Sequence, residues 1–198
     1  MAVECKGTSR RALLRLAAVG GGSALAAGAT EPAPGRLLTE TDRFNIGDRG
    51  PQMVARAQAL GREYMTQHGN CAQCTIAALQ DSIEFVPKDE RLFLAATCLH
   101  GGVTAARNAS CGGFTAAGIV IGGLCGRSRD KFGDPGAMRL ATRLIREVAT
   151  QWDQTYGGVI CKDVRAKVSN QCAEVVARAA GWAAEALLKQ FAAPPPPA

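Results

Sequence analysis

The sequence has few aromatic residues, only two histidines and no run of lysines or arginines, although its formal net charge is +6. Four basic residues and one acidic residue fall within 1–29, so the rest of the chain has 19 basic against 16 acidic side chains, or +3. Because nucleic-acid surfaces use a basic stripe or stacked aromatic side chains, we expect no nucleic-acid binding. The sequence also has no phosphate-binding glycine loop after a strand and no Ser-His-Asp set that it places together, so nothing supports a kinase or a hydrolase.

The N-terminal segment 1–29 predicts an export signal. It contains Ser9-Arg10-Arg11-Ala12-Leu13-Leu14-Arg15, then a mildly apolar stretch rich in glycine, and then Ala27-Gly28-Ala29. This order resembles a twin-arginine signal with a cleavage site of the A-x-A type. The apolar stretch is shorter than the roughly 20 residues that a membrane-spanning helix needs. We therefore expect a periplasmic protein that is exported by the twin-arginine pathway and has no membrane segment after cleavage.

The rest of the chain predicts an all-α fold, a compact single-domain bundle of about six helices at 51–191. Residues 30–50 contain proline and glycine without a sustained period and are interpreted as a linker. Residues 192–198 are interpreted as a disordered tail rich in proline. The predicted helices run from Pro51 to Gly69, from Asn70 to about Val86, from Pro87 to Cys98, from Cys111 to Cys125, from Pro135 to Gly157 and from a cap at Ser169 or Asn170 to about Leu188.

Cysteine is abundant: the chain has eight, of which Cys5 falls within the predicted signal. Seven remain, and because this number is odd, intramolecular disulfides leave at least one thiol unpaired. Four of the seven lie in or just before the first turn of a predicted helix: Cys71, Cys111, Cys161 and Cys172. Helix-start N–H groups lower the pKa of a thiol, so we expect thiolates at these four positions. Thiolates bind zinc, copper(I) and iron–sulfur clusters, and they also exchange with disulfides.

One pair of cysteines forms a C-x-x-C unit, Cys71-Ala72-Gln73-Cys74. This spacing suits metal chelation, and it also suits thiol–disulfide exchange with Cys71 as the attacking thiolate and Cys74 as its resolving partner. Thr75 stands where a c-type haem attachment site has histidine, so covalent haem is not expected.

The other cysteines and the histidines have less specific interpretations. We interpret Cys98 and Cys125 as small buried hydrophobic residues, because each lies toward the end of an apolar helix. His68 and His100 lie at predicted helix ends near cysteines. Each either caps its helix or completes or tunes a sulfur site, and capping is the more common role of a histidine there.

These residues resemble the C-GCAxxG-C-C family of redox-active proteins over about residues 53–190. The resemblance rests on Asn70-Cys71-Ala72, on Cys111-Gly112-Gly113-Phe114-Thr115-Ala116, on Cys161 after Gly157-Gly158, and on Cys172 near the final helix. The middle motif of the family would place Ala at 113 and Gly at 116, whereas this chain has Gly113 and Ala116. The chain also resembles the cluster-bearing part of the split-Soret cytochromes, without their haem motifs.

The resemblance implies that Cys71, Cys111, Cys161 and Cys172 bind an iron–sulfur cluster of the [2Fe–2S] type. We therefore expect an exported electron carrier or a subunit of a redox assembly, rather than a stand-alone enzyme, with a redox protein as its partner. The alternatives are a thiol–disulfide oxidoreductase that uses Cys71 and Cys74, and a protein that binds zinc or copper(I). An all-helical domain with a large apolar fraction can also pair as a homodimer through a helix face.

Overall fold

The computed structural model of the protein describes residues 36–103 and 106–194. These ranges contain seven α-helices and no β-strand, which confirms the all-α prediction. The α-helices are α1 (Gly50–His68), α2 (Cys71–Ser82), α3 (Glu90–Ala95), α4 (Gly112–Cys125), α5 (Arg139–Tyr156), α6 (Cys161–Lys167) and α7 (Cys172–Phe191). The predicted signal at 1–29 lies outside the described residues, as do residues 195–198 of the predicted tail. In the part of the chain that is described, no helix has both the length and the apolar character to cross a membrane.

The boundary between α1 and α2 follows local backbone chemistry. Gly69 ends α1 in the left-handed conformation (φ 77°) and donates its N–H to the Met65 carbonyl. Asn70 then caps α2, because its side chain accepts a hydrogen bond from the Gln73 N–H at 3.1 Å. The predicted end of α2 near Val86 is wrong: the helix stops at Ser82, and Ile83 turns to an extended conformation.

Two predicted helices begin later than their prolines. The side chain of Asp89 accepts hydrogen bonds from the first N–H groups of α3, so this helix starts at Glu90 instead of Pro87. The 3-10 helix Ala96–Val103 continues it past Cys98. Likewise, Pro135 opens a 3-10 helix, Pro135–Met138, before α5 begins at Arg139.

The last two helices were predicted only in part. Cys161 was expected at the start of a helix for which no bounds were predicted, and α6 begins there. The cap predicted for α7 is wrong, because Ser169 and Asn170 both have positive φ (48° and 66°) and form a turn before the helix. Gln171 is the residue that precedes α7, and its side chain makes no capping hydrogen bond.

Helix α7 lies at the centre of the bundle and packs against α1, α2, α4 and α5. Small residues allow this close packing: a Cβ on Gly61 of α1 would lie 3.1 Å from the Val176 carbonyl oxygen of α7. Around α7 the largest fully buried aliphatic and aromatic side chains form the core: Ile76, Leu79, Ile83, Phe85, Val120, Ile121, Leu144, Val148, Trp152, Val164, Leu187 and Phe191. Burial of this apolar surface is the main force that holds the helices together.

The described part of the predicted linker, residues 36–50, packs on the bundle. Leu38, Phe44 and Ile46 are buried. The Leu38 N–H donates to the Leu124 carbonyl at 2.7 Å, and the Phe44 ring stacks on Phe85 with 4.6 Å between ring centroids. The expectation of a surface linker is therefore corrected for these residues, because their apolar side chains are covered by the helices.

Candidate redox site

Four cysteines from distant parts of the sequence line one cavity of about 160 Å³. Cys71 is the first residue of α2, Cys111 directly precedes α4, Cys161 is the first residue of α6 and Cys172 is the first residue of α7. The predicted location of all four at helix starts is thus confirmed. The cavity forms where these four helix starts meet.

A short antiparallel contact places Cys111 beside Cys161. The Cys111 N–H donates to the Val159 carbonyl at 2.7 Å, and the Cys161 N–H donates to the Ala109 carbonyl at 2.9 Å. These bonds lie on either side of an isolated bridge between Ser110 and Ile160. Because the main chain holds both cysteines, the register of this contact determines where their side chains enter the cavity.

Gly112 allows the sulfur of Cys71 to reach the start of α4. A Cβ at position 112 would lie 2.6 Å from the Cys71 Sγ and 2.7 Å from the Leu99 carbonyl oxygen. These distances are too short for any side chain larger than hydrogen. Gly102 has a similar role beside Cys161: its φ is 69°, and a Cβ there would lie 2.7 Å from the Cys161 Cβ.

Cys71 is the only one of the four whose pKa is lowered. A hydrogen bond from the Cys111 thiol is the main reason that its pKa falls to about 6, against the opposing effect of burial. The backbone N–H groups of Gly101 and Gly112 and the nearby His100 lower it further. Cys71 is therefore the thiolate of the cavity at neutral pH.

The other three thiols have raised pKa values, so the prediction of four thiolates is wrong for the protein without a bound cation. The pKa of Cys111 rises because its thiol donates to Cys71 and because it is buried. Burial also raises the pKa of Cys161 and Cys172, and the negative charge of Cys71 adds to the effect. Because the cysteines line one cavity, the negative charge of one thiolate repels a second negative charge and so disfavours ionisation of the neighbouring thiols. A bound metal cation would offset this repulsion.

The charged groups at the cavity are basic. Arg165 donates a hydrogen bond from Nη1 to the Cys172 Sγ at 3.1 Å. Arg107 and His100 also line the cavity, whereas none of its lining residues is an aspartate or a glutamate. Both arginines act to lower the pKa of Cys161 and Cys172, which favours negative charge on sulfur.

Aromatic rings pack in one buried cluster with Cys111. Trp152 contacts Phe114, Tyr156 and Trp182, with ring centroids 5.3 to 5.6 Å apart. Trp152 and Tyr156 are buried, and the Trp152 Nε1 has no hydrogen-bond partner among the described residues. This cluster covers Cys111, which is 5% exposed.

The remaining cysteines of 36–194 lie outside the lining of this cavity. Cys74 is buried one turn along α2 in a small cluster with Cys71 and Val176, and burial raises its pKa. Cys125 is buried as predicted, and its Sγ donates to the Ile121 carbonyl. The prediction that Cys98 is buried is wrong, because it lies exposed on the 3-10 helix Ala96–Val103.

The two histidines differ in location. His68 is the last residue of α1, and its ring lies 6.1 Å from that of Tyr64, outside the cavity lining. His100 lies at a kink in Ala96–Val103 and lines the cavity. It therefore acts as a neighbour that tunes Cys71, one of the roles left open by the sequence.

Across 36–103 and 106–194, no group of three or more His, Cys, Asp and Glu side chains is arranged so that it could hold a metal ion. The Cys71 sulfur accepts a hydrogen bond from the Cys111 thiol. The donor set nevertheless fits a sulfur-ligated centre, because four thiols and no carboxylate line the cavity. Its volume of about 160 Å³ is several times the roughly 10–15 Å³ that one water molecule needs, so it has room for a few heavy atoms.

A comparison with protein families places the chain in a known group. The family described as "Putative redox-active protein (C_GCAxxG_C_C)" matches residues 69–186, more than half of the chain. The chain belongs to this family. All four cavity cysteines of this C_GCAxxG_C_C protein fall within the match, which identifies it as a member of a redox-active, cysteine-rich group. Comparisons with curated proteins and with solved structures found no match.

The structure explains two positions of the C_GCAxxG_C_C middle motif in this chain. Gly112 is required for the contact with Cys71, as described above. Gly113 faces α7, and a Cβ there would lie 3.2 Å from the Ala179 Cβ. Ala116 is fully buried. The small residue at 113 therefore allows close approach of α7, and an alanine there would require a shift of a few tenths of an ångström.

Proposed function

We propose that the protein is an exported iron–sulfur protein that binds a [2Fe–2S] cluster through Cys71, Cys111, Cys161 and Cys172. Its function is electron transfer with a redox protein in the periplasm. The observation that carries the proposal is the convergence of four helix-start cysteines on one cavity without carboxylates. A set of four thiols is the usual ligand set of such a cluster, which supplies one-electron chemistry when bound.

The residues of the chain bind, orient and shield the centre. The main-chain contact between 109–111 and 159–161 holds Cys111 and Cys161 in place. The N–H groups of Gly101 and Gly112 donate to sulfur, and Arg165 donates to Cys172. Hydrogen bonds and positive charge near sulfur stabilise added negative charge, so they raise the reduction potential. The ring of Phe114, in contact with Trp152, limits the entry of water.

Ligation requires a local rearrangement of the thiols. As ligands, Cys71 and Cys111 would bind iron in place of their hydrogen bond, and Cys111, Cys161 and Cys172 would bind as thiolates. Rotation about the Cα–Cβ bond, between staggered rotamers, would redirect the sulfur atoms. The basic lining of the cavity favours the anionic ligand set that results.

The proposal of export rests on the sequence. Arg10 and Arg11 precede the apolar stretch of a twin-arginine signal, and this pathway exports proteins that have folded around a cofactor. We propose a periplasmic location, no membrane segment after cleavage, and a redox partner protein. We also propose that the protein forms a homodimer through a helix face.

The test is the visible spectrum and the iron and acid-labile sulfide content of protein matured in its native host and purified without oxygen. We expect iron–sulfur charge-transfer bands, and we expect Cys71→Ser, Cys111→Ser, Cys161→Ser and Cys172→Ser each to bleach them. Cys98→Ser is the matched control, because this exposed thiol lies outside the cavity lining. A colourless wild type, zinc or copper in place of iron, or colour retained in Cys111→Ser would overturn the proposal.

A second candidate function is thiol–disulfide exchange, and the hydrogen bond between Cys71 and Cys111 favours this pair over Cys71 and Cys74. The Cys71 thiolate would attack a partner disulfide, form a mixed disulfide and release one partner thiolate. Cys111 would then lose its proton, attack the Cys71 sulfur and release the second thiolate. The partner gains two electrons, and the protein gains one disulfide. A metal-free protein with one two-electron dithiol couple that disappears in Cys111→Ser but persists in Cys74→Ala would support this function.

A further inference from the structure

Cys172 is the cavity cysteine closest to solvent. Cys71, Cys111 and Cys161 are 7%, 5% and 3% exposed, respectively, whereas Cys172 is half-buried. Cys172 also borders a second, more open depression of about 480 Å³. Met65, Arg165 and Cys172 line both spaces, so the sulfur site and the outer depression adjoin at Cys172. Cys172 is therefore the most exposed of the four cavity cysteines.

The surface around Cys172 is basic. In the outer depression, Arg62 and Glu174 form a two-point ion pair, with 2.5 Å between Nε and Oε1 and 3.0 Å between Nη2 and Oε2. Their charges therefore offset each other, which leaves Arg165 as the unbalanced charge of that lining. Arg107 adds a second positive charge from the cysteine cavity.

Helix α6 extends this basic surface. It carries Lys162 and Lys167 against one acidic residue, Asp163, and all three are exposed. The main chain of Lys162 lies next to Arg107, since the Lys162 N–H donates to the Arg107 carbonyl at 2.9 Å. Counted with Arg165, α6 has three basic residues and one acidic residue.

We infer that the surface around Cys172, formed by Arg107, Arg165 and the exposed lysines of α6, is where the electron-transfer partner docks, and that this partner presents an acidic face. The inference rests on the proposed function. Electron-transfer complexes are small and short-lived, and complementary charge sets how fast and in which orientation they form. The half-buried Cys172 is the place where a docked partner comes closest to the sulfur site.

The electrostatic field at this surface can be measured with two small oxidants of opposite charge. Each takes one electron from the reduced, cluster-loaded protein: ferricyanide is an anion, and hexaammineruthenium(III) is a cation. We expect added salt to slow the reaction of ferricyanide and to accelerate that of hexaammineruthenium(III), because salt screens the positive surface. The opposite salt dependence would overturn the inference.

Two matched variants distinguish the effect of charge at this surface from the effect of the net charge of the protein. Arg107→Gln and Arg139→Gln remove the same charge, but Arg139 lines a different cavity that shares no residue with the cysteine cavity. We expect Arg107→Gln to lower the ratio of the low-salt rate to the high-salt rate with ferricyanide about threefold, within the range of electrostatic steering, and Arg139→Gln to leave this ratio nearly unchanged. The rate at high salt gives the effect of each variant on the driving force, to which Arg107 contributes because it lines the cavity. An equal change of the ratio in both variants would contradict a local docking surface.

A second measurement uses protein without the cluster. Its result therefore tests the docking surface separately from the proposed function. In metal-free Cys98→Ser protein, the sulfur of Cys172 attacks a disulfide reagent, forms a mixed disulfide and releases one reagent thiolate. Mass spectrometry of the labelled site gives the rate at Cys172 with anionic dithiobis-nitrobenzoate and with cationic cystamine. We expect Arg107→Gln to lower the rate with the anion relative to the rate with the cation, and Arg139→Gln to leave the ratio unchanged. An unchanged ratio in Arg107→Gln would overturn the docking surface even if the cluster is present.

Discussion

The two halves of the sulfur site are held in different ways. Cys71 begins α2, and Cys111 directly precedes α4. These two helices pack on each other within the main core. Cys161 and Cys172 begin the short helix α6 and the helix α7, next to an arginine and an open depression. The first half lies within the main core, whereas the second half includes the half-buried Cys172.

This difference indicates a division of roles. In the inner half, glycine and backbone N–H groups define the position and charge of sulfur, since Gly112 both contacts and donates to Cys71. In the outer half, a side chain with positive charge, Arg165, interacts with the sulfur. Changes to the inner half should therefore affect stability, whereas changes to the outer half should affect reactivity.

The largest effect is expected for Gly112→Ala. Its Cβ would overlap the Cys71 Sγ at 2.6 Å and the Leu99 carbonyl oxygen at 2.7 Å. Overpacking of this kind typically lowers stability by 1–3 kcal/mol, so we expect a loss of about 3 kcal/mol in a urea titration. Gly122→Ala in the same helix is the control: nothing lies within 4 Å of its Cβ, and stability should rise by up to about 1 kcal/mol. Equal effects of the two variants would show that the inner half is not tightly packed.

The second prediction is the pH dependence of the stability of the metal-free protein. The change per pH unit is expected to be smaller than the loss caused by Gly112→Ala. Folding lowers the pKa of Cys71 from 9.0 to about 6, so between these values the folded chain has released a proton that the unfolded chain retains. The free energy of unfolding should thus rise with pH by about 1.4 kcal/mol per unit across this window, and the gain should disappear as pH falls below about 6. Above pH 9 the trend should reverse, because folding raises the pKa of Cys111.

Urea titrations of Cys71→Ser and Cys172→Ser across the same pH window separate the two halves. Cys71→Ser should lose the rise between pH 6 and 9, whereas Cys172→Ser should keep it, because burial raises the pKa of Cys172 above this window. A rise that persists in Cys71→Ser would contradict the assignment of Cys71 as the thiolate.

In the outer half, Arg165→Gln should mainly change reactivity. Loss of the hydrogen bond to the Cys172 Sγ removes an interaction that lowers its pKa, so the pKa should rise and the thiolate fraction should fall. In metal-free Cys98→Ser protein at pH 8, alkylation of Cys172 by iodoacetamide should slow several-fold. Lys167→Gln removes the same charge from the same helix as a control. Equal rates in both variants would contradict a specific role of Arg165.

The smallest effect is expected for Cys98→Ser. Cys98 is exposed, so its loss should change the free energy of unfolding by less than about 0.5 kcal/mol and leave the visible spectrum unchanged. Thermal unfolding and absorbance spectra of the variant test this expectation. Bleaching would show that the site extends beyond the four cavity cysteines.

Local signals in the sequence predicted part of the helix boundaries, including both ends of α1 and of α4. The left-handed Gly69 and the cap Asn70 identify the end of α1 and the start of α2 because their chemistry acts within a few residues. The burial of Phe44 could not be predicted in this way, because it depends on the distant Phe85 and Phe191. The start of α6 at Cys161 was expected, but its extent could not be predicted, since its seven residues lack a sustained apolar period.

Less of the redox site than of the fold could be predicted from the sequence. The helix-start positions of the cysteines follow from local capping patterns, but the pairing of Ser110 with Ile160 joins segments without a strand pattern. The ionisation of the thiols was predicted incorrectly for three of four, because burial and neighbouring sulfur outweigh the helix-start N–H groups. The basic residues Arg107 and Arg165 carry no sequence signal that separates them from other surface arginines.

The most direct test of the central claim is X-ray absorption at the iron edge of the protein matured in its native host, compared with the Cys111→Ser variant. The account predicts iron bound only to sulfur, with a second iron as its neighbour, in the wild type, and loss of this centre in the variant. Iron bound to nitrogen or oxygen, no iron at all, or an unchanged centre in Cys111→Ser would contradict it.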